Sequence, residues 1–272
     1  MDILFFTGLL VSLLYLAVSI LSGVGFFAGR RFAAVAGNVL VVVGALLHLT
    51  NLALLGILES KIPFTTFFEA MSVISLFVVL IYLILRLSLT VQSLSFFVFP
   101  LAFAFQTISV FGPRAMYLGE EFTRSPLFWF HTLSTLAGYA AFGYSMIVGL
   151  MHLHLFRELK SRRLKLMYDR LPPLELLDRM NGVALTGGFV FLTVGIVLGS
   201  TLALTAWGHL PILDPKVFLS LLLWLIYVFG IVALRLLRWS GKRMSWLSVV
   251  GFLALIVIMV VVRIVEGTFH RF

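Results

Sequence analysis

Trp207-Gly208-His209-Leu210-Pro211-Ile212-Leu213-Asp214-Pro215-Lys216 separates two apolar runs, 181–206 and 216–237. Those flanking runs decide the fold. Each holds about 20 residues or more, enough to cross roughly 30 Å of hydrocarbon as a helix. The segment between them is therefore a short loop at a membrane surface. An aromatic, a histidine and an Asp-Pro among aliphatic residues make a poor linker. They suit a platform for a flat, apolar ligand.

The same signal recurs along the whole chain. Of 272 residues, 61% are hydrophobic and 11% charged, too little polar surface for a soluble domain of this length. Eight spans are expected, at about 3–28, 33–57, 67–87, 92–111, 127–155, 181–206, 216–237 and 245–267. No connecting segment exceeds roughly 25 residues, too short for an independent aqueous core. The expected fold is an all-α polytopic membrane protein, a single integral membrane domain over 1–272. The first run lacks a basic leader and is too long for a signal-peptide core, so it reads as a retained helix.

Charge sets the orientation. The loops after spans 1, 3, 5 and 7 carry 14 of the 20 Lys and Arg residues. The opposite side carries Lys61, Arg114, Arg124, Lys216, Arg263 and Arg271. The positive-inside rule then places the basic loops in the cytoplasm and both termini on the outer, periplasmic side of a bacterial inner membrane. The net charge of +9 is an orientation signal, not a nucleic-acid footprint. The chain has no Cys, so it cannot hold haem through its own thioethers, and thiol chemistry belongs to a partner.

Ionisable residues inside a span are costly and mark candidate sites. His48 lies in span 2, with Asn51 one turn on. It reads either as a buried neutral histidine bonded to a neighbouring hydroxyl or carbonyl, or as an intramembrane iron ligand or gate. His131 follows Trp129 and Phe130 at the outer start of span 5. His209 in the loop and His270 beyond span 8 fall on the same membrane face. His152 and His154, at the cytoplasmic end of span 5, are two residues apart and point to different helix faces. Glu69, at the start of span 3, and Asp214, before span 7, also suit helix caps. Gly195 and Gly199 form a GxxxG that close helix packing explains. The Leu171-Pro172-Pro173-Leu174-Glu175 segment stops the helix of span 5 after it overruns the membrane, and a short amphipathic piece from about Leu174 to Met180 is expected at the interface. No HExxH, paired Cys or Ser-His-Asp spacing occurs, so there is no self-contained catalytic constellation.

Four segments, in order, resemble the cytochrome c assembly family. The 207–216 loop is similar to its tryptophan-rich WGxYWxWDPKE signature: Trp207, Gly208, Asp214, Pro215 and Lys216 match, while Pro211 and Leu213 replace the later Trp residues and Val217 the final Glu. Pro63 to Met71 resembles FPLSNLYESL, with Glu69 matching and Phe68 in place of Tyr. Ser125 to Tyr139 resembles the start of the family's external-histidine helix, and Phe269-His270 its second external histidine. Leu171 to Leu177 is similar to the short eight-span, haem-biosynthesis-associated (HemX-like) branch. The resemblance covers spans 2 to 8. It implies non-covalent haem b held by His131 and His270 as axial iron ligands, beside Trp207 and Asp214 of the loop, with His48 as an intramembrane histidine. It implies haem transport and cytochrome c-type biogenesis, with an apocytochrome c or a cytochrome c synthase subunit as partner besides haem and the lipid bilayer, and an assembly or delivery role in place of enzyme chemistry.

Another class stays open: a regulatory or scaffolding subunit that has lost haem and binds a cytoplasmic haem-biosynthesis enzyme through the basic 157–180 loop. A small-solute transporter would show repeats and broken spans, and neither is evident.

Overall fold

The computed structural model describes residues 3–88, 94–112, 125–162, 166–212 and 214–269. Among the described residues there is no strand. In lipid every backbone N–H and C=O must be satisfied within the segment, which leaves the helix as the solution for isolated apolar runs. Eight helices are long and apolar enough to cross a membrane. They are α1 (Ile3–Ala28), α2 (Arg31–Leu58), α3 (Phe67–Ser88), α4 (Leu94–Phe111), α5 (Pro126–Lys160), α6 (Leu174–Trp207), α7 (Pro215–Arg235) and α8 (Lys242–Phe269). The chain is thus an all-α, multi-pass membrane protein with the expected eight spans.

Burial follows the logic of a lipid solvent. On α2 the residues Val41, Ala45, His48 and Leu52, spaced three and four apart, are buried, while Val35, Val39, Val42 and Leu46 are exposed. The polar residue faces the interior and the aliphatic stripe faces outward, as helices surrounded by hydrocarbon require.

The contacts divide the chain into two compact units, one holding α1–α4 and the other α5–α8. In the first, α1 packs on α2 and α4, and α3 packs on α4. In the second, α5 is the central helix, with 78% of its apolar window buried. Its 35 residues span roughly 50 Å at 1.5 Å each, so it does overrun the hydrocarbon, as the sequence indicates.

The α5–α6 pair carries the site, and its close approach is built on glycine. A Cβ on Gly138 would lie 3.0 Å from the Gly188 carbonyl, and one on Gly188 would lie 2.6 Å from the Phe142 ring. Further along, Gly195 faces Thr135 and Gly199 faces His131. Residue numbers rise along α5 as they fall along α6, so the pair is antiparallel, with small residues bringing the backbones together.

One expectation is corrected. Leu174 to Met180 is no separate interfacial piece; it is the first two turns of α6, continuous with the span. Leu177, Met180 and Asn181 are buried, and the Leu176 and Leu177 N–H groups donate to the Pro173 carbonyl. Burial of those apolar residues holds the segment on the span axis. Pro173, which cannot donate, is tolerated because it stands at the helix start.

Candidate functional site

His131 sits on the second turn of α5, which begins at Pro126, a residue whose fixed φ and missing N–H suit a first helical turn. Its ring lies over Gly199 of α6: a Cβ added there would stand 2.6 Å from both Cε1 and Nδ1. The Nδ1–H donates to the Gly195 carbonyl at 2.6 Å. A carbonyl oxygen only accepts, so the proton is on Nδ1, and Nε2 of the neutral ring carries a lone pair. No hydrogen bond among the described residues engages Nε2. A histidine whose second nitrogen is held by a backbone carbonyl is the usual arrangement of a metal-ligating imidazole. Thr135, one turn on, packs against Gly195 and turns its hydroxyl back to the His131 carbonyl at 2.9 Å. The GxxxG pair therefore packs helices and also seats the histidine.

Gly199 lies eight residues, roughly 12 Å of helix axis, before Trp207, the last residue of α6. There Gly208 adopts φ 71° and ends the helix. Nothing lies within 4 Å of a Cβ built at Gly208, so its backbone conformation and not crowding requires glycine. Trp207 is 55% exposed and Trp129, on the first turn of α5, 42%. His209 Nδ1 donates to the Trp207 carbonyl at 2.9 Å, which leaves the His209 ring in the exposed loop. Asp214 caps α7: one carboxylate oxygen accepts from the Lys216 N–H at 2.9 Å and the Val217 N–H at 3.3 Å, with Pro215 as first helical residue. His270 lies outside the described residues.

In the other unit His48 is buried at the centre of a relay drawn from all four helices. The Tyr15 hydroxyl on α1 bonds Nδ1 at 2.9 Å, and Nε2 bonds Ser72 on α3 at 2.8 Å. Ser72 donates its one hydroxyl proton to the Gln106 carbonyl oxygen on α4 at 2.9 Å. Ser72 must then accept from Nε2–H, and Nδ1 must accept from Tyr15. Both His48 nitrogens are engaged, so the ring reaches an iron only by releasing Tyr15 or Ser72. Asn51 donates to the Thr7 hydroxyl at 2.6 Å and the Leu4 carbonyl at 3.2 Å.

Glu69 is committed as a cap and an ion pair. One carboxylate oxygen accepts from the Thr65 N–H, the Thr65 hydroxyl and the Thr66 N–H at 2.8–3.2 Å. The other lies 2.8 Å from Lys61 Nζ, which also meets Glu59 at 2.6 Å. Burial lowers the Lys61 pKa, but hydrogen bonds and Coulomb attraction from Glu59 and Glu69 outweigh it, so the net displacement is upward. Lys61 is the residue sequence reasoning missed here, because loop spacing does not reveal which carboxylates a lysine bridges.

The sequence is similar to known proteins in a consistent direction. Over 99 residues it is 35% identical to "Cytochrome c biogenesis protein CcsA" of Prochlorococcus marinus (strain NATL1A), covering 36% of this chain and 31% of that one. Over 110 residues it is 36% identical to the protein of the same name from Parasynechococcus marenigrum (strain WH8102), covering 40% and 36%. For that of Thermosynechococcus vestitus the figures are 36% over 89 residues, 33% and 28%. The matched stretch thus spans about a third of the length of these relatives. The model of the family described as "Cytochrome C assembly protein" matches residues 36–270, nearly all of the eight-span chain, and the chain belongs to that family.

Proposed function

We propose that this chain is a haem-handling membrane protein supporting cytochrome c maturation or haem biosynthesis, of the short, HemX-like kind. The observation that carries the reading is the His131 seat. The imidazole is fixed by the Gly195 carbonyl, with Nε2 left as an unengaged donor. Among the described residues no three His, Asp or Glu side chains converge on a point. A single free imidazole suits an iron that brings its equatorial ligands with it, which is what haem does. His131 and His270 would be the axial ligands of haem b on the outer face, beside Trp129, Trp207 and the loop capped by Asp214. Bound haem would supply an iron with two coordination positions open to protein or partner. The chain's own residues do the rest. Gly195 holds the tautomer of His131, Gly199 leaves room for its ring, and the exposed indoles offer apolar surface to a macrocycle. With no Cys of its own, the protein would present haem to an apocytochrome c, or to a synthase subunit, that carries the thiols.

Pyridine haemochrome assays on wild type, His131→Ala, His270→Ala and the double variant test this. Haem content falls in each single variant and is lost in the double one; a double variant that keeps its haem rejects the assignment.

Pro211 and Leu213, standing where the family signature has Trp, favour a second reading: a scaffold that has lost haem and binds a cytoplasmic enzyme through residues 157–180. Deleting that loop would abolish capture of the enzyme on this view, and retained capture rejects it.

A further inference from the structure

The unit of α5–α8 holds a second site, at the membrane end where α5 finishes and α8 begins. A cavity of about 480 Å³ is lined by Leu153, Phe156, Arg157 and Lys160 of α5 and by Lys242 and Trp246 of α8, with Ser161 at its rim. Three cations surround it. No ion pair among the described residues engages Arg157, Lys160 or Lys242. The carboxylates at this end do not line the cavity: Asp178 is committed to the Gly241 N–H, at 2.9 and 3.0 Å, and lies beside His152 at 3.4 Å.

The placement of Lys242 is informative. Arg157 and Lys160 in the last turn of α5 complement the negative end of that helix. Lys242 stands in the first turn of α8, where the helix dipole disfavours a cation. Its neighbour Arg243 is engaged by the Trp239 ring, 5.7 Å away. A positive helix end plus three unpaired cations around one cavity is a field that an anion satisfies.

The other wall identifies the anion's body. Leu153, Phe156 and Trp246 are apolar, and Trp246 begins an exposed stripe on α8 that continues through Val250, Leu253 and Val257. A charged head in the cavity would have its tail on that lipid-facing stripe. We infer that this cavity binds the phosphate headgroup of an anionic phospholipid, with one acyl chain along α8. The inference is independent of the haem reading.

The test uses the full chain in mild detergent, mixed with phosphatidylglycerol or with phosphatidylcholine of the same acyl chains, and read by native mass spectrometry. Phosphatidylglycerol is retained at least tenfold more than phosphatidylcholine. Each cation near an anionic lipid surface is worth roughly fivefold in binding, so Arg157→Gln/Lys160→Gln/Lys242→Gln together lose roughly a hundredfold. Arg179→Gln/Arg235→Gln/Arg238→Gln removes the same charge outside the cavity and loses less than about fivefold. If the cavity triple variant does not fold, Lys242→Gln alone shows the roughly fivefold loss. Equal retention of the two lipids, or equal loss in both triple variants, overturns the site. Thermal stabilisation by inorganic phosphate equal to that by phosphatidylglycerol overturns the lipid assignment, as does displacement of the lipid by stoichiometric haemin.

Discussion

Gly199→Ala is the sharpest perturbation of the proposed haem site, because it alters no ligand. The added Cβ would stand 2.6 Å from Cε1 and Nδ1 of His131, against an ordinary carbon contact of about 3.5–4.0 Å. The ring or α6 must therefore move by about 1 Å. The Nδ1–H to Gly195 bond, now 2.6 Å, would stretch to about 3.6 Å, beyond a hydrogen bond. Overpacking of this kind costs about 1–3 kcal/mol of stability. Loss of the partner that orients a metal-bound histidine costs about 10–100-fold in affinity. Haemin titration of the detergent-purified variant, followed at the Soret band, should show that loss, with thermal unfolding run in parallel. Gly187→Ala is the control on the same helix, since nothing lies within 4 Å of its Cβ; it should bind as wild type. Gly199→Ala binding haemin within twofold of wild type, while His131→Ala does not bind, would refute the seat argument and leave the ligand assignment standing.

Three further outcomes are expected. Glu69→Gln breaks a buried ion pair with Lys61, the two side chains 9% and 8% exposed, and should destabilise the protein by about 3–5 kcal/mol. Because the folded Lys61 pKa is raised, the pairing contributes fully below the unfolded lysine value and is lost as pH rises through the folded one. The difference in Tm between wild type and Glu69→Gln should therefore be flat around neutrality and shrink only in strong alkali; a difference that shrinks in mild acid contradicts the pairing. Tyr15→Phe and Ser72→Ala each remove one His48 partner and should cost about 0.6–1.7 kcal/mol, the scale of hydrogen bonds between membrane helices. Their effects should be non-additive in a double-mutant cycle, and strict additivity would argue against one connected relay. Asp214→Ala should cost about 0.5–2 kcal/mol as a lost cap, with Asp214→Asn nearly neutral; if Asn restores stability but not haem binding, the carboxylate does more than cap.

The spans were legible because the physics of a bilayer is one-dimensional: apolar length alone decides crossing. Their ends were less so. The expected fifth span stopped at 155, whereas α5 continues to Lys160, since a helix needs no apolar residues once it leaves hydrocarbon. The sixth was placed from 181, yet α6 starts at Leu174 because Leu177 and Met180 find a buried surface that composition does not reveal. His48 was readable as a costly residue, but its partners sit on three other helices. The seat of His131 was half-visible. The GxxxG was read as packing, which it is, while its second role depends on the antiparallel register that sets Gly199 against His131 and Gly195 against Thr135. The matching i, i+4 spacing on the two helices was the available signal.

Haemin uptake by the purified wild-type chain tests the central claim most directly. The account predicts a Soret band saturating near one haem per chain, and its loss in His131→Ala with the fold intact. A well-folded, colourless wild-type protein that takes up no added haemin would contradict it.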